Sequence, residues 1–149
     1  MFLNNYLSSI PVLSILYLIP LIGAIILFFI DKENELLIKK ISLITALLSF
    51  ILSALIFVAF EYKASGLQFV EKFSLYPKMG IEYYLAVNGI NITLVLLTGI
   101  IILAGVLASW SLEVRVKEFF ILLLLLTAGV FGVFVSYNFF IFFLFYEIA

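Results

Sequence analysis

Long apolar runs divide this chain into five segments, and charged residues are concentrated between them. Four runs without Asp, Glu, Lys or Arg are about 20 residues long, the length that an α-helix needs to cross the hydrocarbon core of a bilayer. A fifth run starts at Phe139 and reaches only the end of the sequence, so we expect it to supply the first half of a helix. The predicted helices cover Ile10–Ile30, Ile41–Phe60, Ile90–Trp110, Phe119–Val135 and 139–149.

Composition supports a membrane protein. Hydrophobic residues make up 66% of the 149 residues, and a water-soluble domain of this size could not bury so much apolar surface. We therefore predict an all-α membrane protein, a single transmembrane domain with four transmembrane helices and part of a fifth, in contact with the lipid bilayer. The net charge of −1 gives no electrostatic reason to expect nucleic acid as a partner.

The sequence contains neither cysteine nor histidine. Iron–sulfur ligation, the usual haem ligands and disulfides are therefore excluded for these residues. Any electron transfer linked to this chain is expected to take place on another subunit.

Basic residues in the loops predict an orientation. They are denser in the loops at 31–40 and 111–118 than in the loop at 61–89, and the positive-inside rule places the first two loops in the cytoplasm and the N-terminus outside. No Lys or Arg precedes Lys32, so we interpret the first apolar run as a retained helix and not as a signal peptide. The basic residues of the two inner loops are Lys32, Lys39, Lys40, Arg115 and Lys117.

The long outer loop has a pattern of its own. Leu67–Leu75 and Ile81–Val87 are short, rich in aromatic and β-branched residues, and separated by a turn sequence at 77–80. This pattern is typical of a β-hairpin lying on the membrane surface, and an irregular interfacial loop is the alternative. At the end of this loop, Asn91 is predicted to cap the third long helix.

Glu147 is the candidate functional residue. It follows the run Phe119–Tyr146, which carries no charged side chain. A helix that starts at Phe139 and runs inward places Glu147 roughly 12 Å deep, near the bilayer centre. Burial at that depth disfavours a charged carboxylate, and such residues usually serve a pathway or a charged partner.

The other eight acidic residues lie in loops or at helix ends, where we expect solvated charges. Glu118 is one of them, and its place in the first turn of the fourth long helix is explained by the helix dipole. The alternative interpretation of Glu147 is that no fifth membrane-spanning helix exists, so that this residue lies at the membrane interface.

Several segments together resemble the antiporter-like proton-pumping subunits of respiratory complex I, in particular the subunit M family of NADH–quinone oxidoreductase (subunit 4 in mitochondria). The resemblance is best over Gly80–Ala149 and rests on the segments 79–90, 117–120, 132–134 and 143–147. One position departs from the family pattern, because Asn88 stands where the family usually has Asp.

The resemblance implies that residues 1–149 are the N-terminal part of such a subunit. Glu147 would then transfer protons, paired with a lysine on a later helix that lies beyond Ala149. Quinone, NADH, FMN and iron–sulfur clusters would be bound by other subunits, with no cofactor or metal in this chain. A bacterial inner membrane is the expected location.

Two other functions remain open at this point. A related multi-subunit Na⁺/H⁺ antiporter would share the same helices and the same glutamate. A structural membrane subunit without a transport role would require Glu147 to be exposed at the lipid headgroups or fixed in a permanent salt bridge.

Overall fold

The structure is a computed structural model that describes residues 2–149. It consists of helices and one two-stranded antiparallel sheet, which confirms the predicted fold class. Four of the helices are long and apolar enough to span a membrane, consistent with an integral membrane protein. The elements are α1 (Phe2–Ser8), α2 (Val12–Phe29), α3 (Glu35–Ala59), β1 (Gln68–Tyr76), β2 (Ile81–Val87), α4 (Asn91–Ala108), α5 (Val116–Val135) and α6 (Phe139–Ile148).

The predicted helix bounds hold within about three residues, with one exception. Helix α3 begins at Glu35 and not at Ile41. The prediction was wrong there because it assigned Lys39 and Lys40 to the preceding loop. Long basic side chains at a helix end can reach polar surroundings without interrupting the helix. The short helix α1 was not predicted at all.

Small side chains allow the long helices to approach closely. A side chain at Gly99 of α4 would overlap Ser53 of α3, and one at Gly23 of α2 would lie 2.7 Å from Thr45. The hydroxyl groups on this face of α3 remain satisfied inside the bundle, because they donate to carbonyls one turn earlier. Such bonds join Ser49 to Thr45 over 2.9 Å and Ser53 to Phe50 over 2.8 Å.

The buried apolar residues form two clusters, one at each end of the helix bundle. The first joins the N-terminal half of α2 and the C-terminal ends of α3 and α5 to the sheet, through residues such as Leu16, Phe131 and Leu85. The second joins the opposite ends of the same helices through residues such as Leu27 and Phe120. Helix α6 contributes only to the first cluster, so it enters the bundle from the end that carries the sheet.

The sheet is the predicted hairpin. Strand β1 pairs with β2 around a short 3-10 turn at Pro77–Met79, and Gly80 follows in a left-handed conformation with a φ of 68°. An extra residue between Gln68 and Glu71 makes a β-bulge, where Phe69 also has a positive φ of 53°. A bulge bends its strand and redirects nearby side chains, and here Phe69 and Glu71 are both buried.

The hairpin is attached to the helices on two sides. Leu85 of β2 forms an isolated β-bridge with Ser136, and the backbone amide of Tyr137 donates to the carbonyl of Tyr84 over 2.8 Å. These contacts fix the hairpin against the turn that joins α5 to α6. The other side of the hairpin lies over the N-terminus of α2.

Candidate functional site

Helix α6 carries Glu147 and starts at a defined cap. The side chain of Asn138 accepts a hydrogen bond from the amide of Phe140 over 2.9 Å, which is the usual way to satisfy a free amide in the first helical turn. The Asn138 amide group also donates to the carbonyl of Gly80 at the hairpin turn over 3.3 Å. The beginning of α6 is thus tied to the hairpin.

One face of α6 packs closely on α5. Ile141 and Phe145 are each 5% exposed. A side chain at Gly132 would overlap the ring of Phe145, and one at Gly129 would lie 2.7 Å from the backbone nitrogen of Ala149. The absence of side chains at these two glycines lets α6 lie directly against α5.

Glu147 lies on the opposite face of α6. It is two positions after Phe145, which corresponds to about 200° of rotation around an α-helix. Its side chain is exposed on the surface of the chain. It borders an apolar depression formed with Phe140, Phe143, Leu144 and Ile148.

No basic side chain within residues 2–149 forms an ion pair with Glu147. The neighbouring surface offers almost only hydrocarbon, and an uncompensated carboxylate in such surroundings is unfavourable in a bilayer. Within the described part of the chain, α6 therefore presents an acid on an apolar face without providing a cation for it. The predicted depth of Glu147 in the bilayer stays a prediction.

A second acid, Glu71, was missed by the sequence analysis. It belongs to the eight acids expected to be solvated, and that expectation is wrong here, because Glu71 is only 8% exposed. Its carboxylate accepts hydrogen bonds from the amide of Leu13 over 2.7 Å and from the amide of Ser14 over 3.2 Å. It also accepts one from the Ser14 hydroxyl.

These bonds make Glu71 the cap of α2. The residue before the helix is Pro11, which makes no side-chain hydrogen bond to the first turn. The carboxylate from β1 satisfies the free amides in its place, and its negative charge is favourable at the positive end of the helix dipole. A signal existed in the sequence, since Phe69 and Glu71 point to the same side of a predicted strand.

A row of hydroxyl groups continues from Glu71 into the bundle. The Ser14 hydroxyl lies 2.6 Å from the hydroxyl of Tyr83 on β2, which in turn lies 3.0 Å from the hydroxyl of Tyr17 on α2. Burial raises the pKa of Tyr83 well above its usual range, an effect larger than the opposing one of the Ser14 hydrogen bond. Tyr83 is therefore neutral at ordinary pH.

Asn88 takes the role that was predicted for Asn91. The Asn88 side-chain oxygen accepts hydrogen bonds from the amides of Ile90 and Asn91, each over 2.9 Å, whereas Asn91 is already the first residue of α4 and makes no cap. The Asn88 amide group donates to the hydroxyl of Tyr137 over 2.7 Å. The start of α4 is thereby capped by an uncharged side chain.

The opposite end of α2 is held by a lysine. Lys117 donates to the carbonyl of Phe28 over 2.8 Å and to that of Ile30 over 2.6 Å, where a cation is favoured by the helix dipole. Next to it, Lys32 forms an ion pair with Glu118 over 3.0 Å. These contacts account for all three charged side chains, at the end of the bundle opposite the sheet.

Comparisons with known proteins find relatives that are named as chains of NAD(P)H-quinone oxidoreductases. It is 36% identical over 139 residues to the NAD(P)H-quinone oxidoreductase chain 4 1 of Synechococcus elongatus, which covers 93% of this chain and 26% of the relative. It is 32% identical over 143 residues to the chloroplastic chain 4 of Chara vulgaris, with 95% of this chain and 29% of the relative covered.

Another relative is named subunit M and not chain 4. The NADH-quinone oxidoreductase subunit M of Rickettsia conorii is 30% identical over 145 residues, which covers 93% of this chain and 29% of that protein. The chain thus spans between a quarter and a third of the length of the curated relatives it matches. No protein-family model matches the sequence.

Proposed function

We propose that residues 1–149, which are similar to subunit M and chain 4 of NAD(P)H-quinone oxidoreductases over the part that they cover, are part of a proton-translocating membrane subunit of such an enzyme. Quinone reduction on other subunits would drive proton transfer through Glu147. This chain would contribute no redox chemistry, and NADH, FMN, iron–sulfur clusters and quinone would be bound elsewhere in the complex.

The observation that carries the proposal is the placement of Glu147. The acid projects from α6 away from the α5 contact, onto an apolar surface where residues 2–149 supply no cation. A carboxyl group in such a place is stable when neutral, and becomes stable as an anion when a cation approaches. A basic segment that moves toward and away from Glu147 would therefore make it release and take up a proton.

The partner is proposed to be a lysine beyond Ala149. It would lie against the depression formed by Phe140, Phe143 and Leu144, because this is the surface next to the Glu147 carboxylate. Residues 1–149 would then be the N-terminal portion of one transmembrane domain that provides half of a charge pair.

Orientation and location are further parts of the proposal. The hairpin end of the bundle would face the outside of a bacterial inner membrane, together with the N-terminus, and the loops with Lys32, Lys117 and their neighbours would face the cytoplasm. Helix α6 enters from the hairpin end, so Glu147 would be reached from the outer side at about 12 Å of helix length.

The names of the relatives favour a quinone oxidoreductase over the related Na⁺/H⁺ antiporter. A purely structural subunit is less well supported, since Glu147 forms no ion pair with the described residues.

The test is Glu147→Gln in the assembled complex. In inverted membrane vesicles energised with NADH, we expect at least about a tenfold loss of proton uptake, because the isosteric amide cannot exchange a proton. Quinone reduction coupled to that uptake should fall with it, while native gel electrophoresis shows intact assembly. Glu113→Gln, a change of an exposed loop acid, is the matched control and should pump normally. Normal pumping by Glu147→Gln would exclude Glu147 from the mechanism.

A further inference from the structure

Phe145, on the buried face of α6, is held from two helices. Its ring lies 4.7 Å from the ring of Tyr17 on α2, measured between centroids, with an angle of 66° between the planes. This edge-to-face arrangement is a favourable one for aromatic pairs. On α5, the missing side chain of Gly132 provides the space that the Phe145 ring occupies.

Tyr17 is itself held in place from outside the bundle. Its hydroxyl lies 3.0 Å from that of Tyr83, which is hydrogen-bonded to Ser14. Ser14 is bonded to the buried carboxylate of Glu71 through both its amide and its hydroxyl. The orientation of the Tyr17 ring is therefore tied to the bulged strand of the hairpin.

We propose that Tyr17 is a positioning residue for Glu147 and that Gly132 acts with it. The Tyr17 ring and the space left by the missing side chain of Gly132 together hold the Phe145 ring, and we call them the seat of Phe145. This inference rests on the proposed function of Glu147. Phe145 and Glu147 project from opposite faces of the same short helix, so the fit of one determines the direction of the other. The Tyr17 ring does not touch the carboxylate, and it acts through Phe145.

The geometry shows why a small change at the seat matters. Side chains on an α-helix end about 5 to 6 Å from its axis, so a rotation of α6 by about 20° would move the Glu147 carboxylate by roughly 2 Å. A displacement of about 1 Å in a reacting group can change a rate by roughly a hundredfold. Ile141 and Phe145 are the buried side chains of Phe139–Ile148, so the seat of Phe145 supplies one of the two buried side-chain contacts that set the rotation of this segment.

The experiment measures proton uptake as a function of pH in vesicles that contain the full complex. Tyr17→Leu removes the ring, and Gly132→Ala fills the space that Phe145 occupies. Both variants should shift the midpoint of the pH profile by about half a unit or more, because the surroundings of the Glu147 carboxyl change. Both should also lower the maximal rate by roughly tenfold.

Matched controls separate positioning from general damage. Tyr17→Phe keeps the ring but removes the hydroxyl that holds it against Tyr83, so the midpoint of its pH profile should lie between those of the wild type and Tyr17→Leu. Gly105→Ala changes a glycine that has nothing within 4 Å of the added carbon, and Tyr6→Leu changes a tyrosine that is 71% exposed. Neither control should shift the profile. If the Tyr17→Leu complex does not assemble, the pH profile of the Gly132→Ala complex alone tests the positioning role.

The two proposals fail in different ways. Wild-type pH profiles in assembled Tyr17→Leu and Gly132→Ala complexes, together with a Glu147→Gln variant that does not pump, would overturn the positioning role and leave the proposed function intact. Normal pumping by Glu147→Gln would instead remove the proposed function.

Discussion

Glu71 and Glu147 are two carboxylates of this chain with opposite surroundings. Glu71 is covered by the hairpin and receives hydrogen bonds from the first turn of α2. Glu147 projects from α6 onto an apolar surface where the described residues give it no donor and no cation. The difference indicates that Glu71 has a structural role in this chain, whereas the placement of Glu147 supports its proposed role in proton transfer.

The physical reason lies in what stabilises each charge. Fixed amide donors and the dipole of α2 stabilise the Glu71 carboxylate in the folded chain. Residues 2–149 supply no such donor and no cation to Glu147. A group that stabilises its charge would therefore have to come from elsewhere in the proposed assembly.

The largest expected effect on stability comes from Glu71→Ala. This change leaves buried amides of α2 without a partner, which should lower the free energy of unfolding by about 2 to 3 kcal/mol. The measurement is unfolding of the full chain in mixed detergent micelles by increasing amounts of a denaturing detergent.

The matched variants for this comparison are Glu147→Ala and Glu82→Ala. Glu147 makes no bond within the described residues, and Glu82 forms only a partly exposed ion pair with Lys72, which contributes less than about 1 kcal/mol. Both variants should unfold close to the wild-type midpoint. Equal losses at positions 71 and 147 would contradict the distinction between the two acids.

A smaller effect is expected at the other end of α2. Lys117→Met removes a cation from the carbonyls of Phe28 and Ile30, and the same unfolding measurement should show a loss of about 1 kcal/mol. Lys40→Met, at an exposed position, is the control and should change little. If Lys117→Met lowered the free energy of unfolding as much as Glu71→Ala, burial would not explain why the two capping contacts of α2 differ in strength.

The smallest expected effect is a dependence of stability on pH, caused by Tyr83 in the row of hydroxyls next to Glu71. Since burial raises the pKa of Tyr83 in the folded chain, its proton is held more tightly there than in the unfolded chain. The resulting stability is present in full below the unfolded pKa of about 10 and is lost as the pH rises above that value.

Tyr83→Phe tests this dependence. The variant should lose less stability than the wild type between about pH 9 and 11, and Tyr76→Phe, which changes a half-exposed tyrosine, should follow the wild type. Comparison of the two variants removes the contribution of the lysines, which titrate in the same range. Parallel curves for all three proteins would contradict a buried, neutral Tyr83.

Most of the fold could be predicted because long apolar runs specify membrane helices almost by themselves. The hairpin could be predicted from its two short aromatic runs and the turn between them. Glu147 could be singled out from the absence of other charges over the preceding residues. Each of these features is local in the sequence.

The features that were missed depend on contacts between distant segments. The burial of Glu71 requires the bulged strand β1 to lie over the start of α2, 58 residues earlier. The choice of Asn88 over Asn91 as a cap depends on where α4 begins, and both are Asn residues with similar preferences. The seat of Phe145 requires α2 and α5 side by side, which no single segment reveals.

The capping of α2 from two sides also bears on how the protein is made. Helix α2 is synthesised before β1 and α5, yet the carboxylate that caps its first turn is on β1 and the lysine that binds its last carbonyls is on α5. Until both have been synthesised, α2 can be inserted but not fixed in depth or tilt. Its final setting in the membrane is therefore completed only after most of residues 1–149 have emerged.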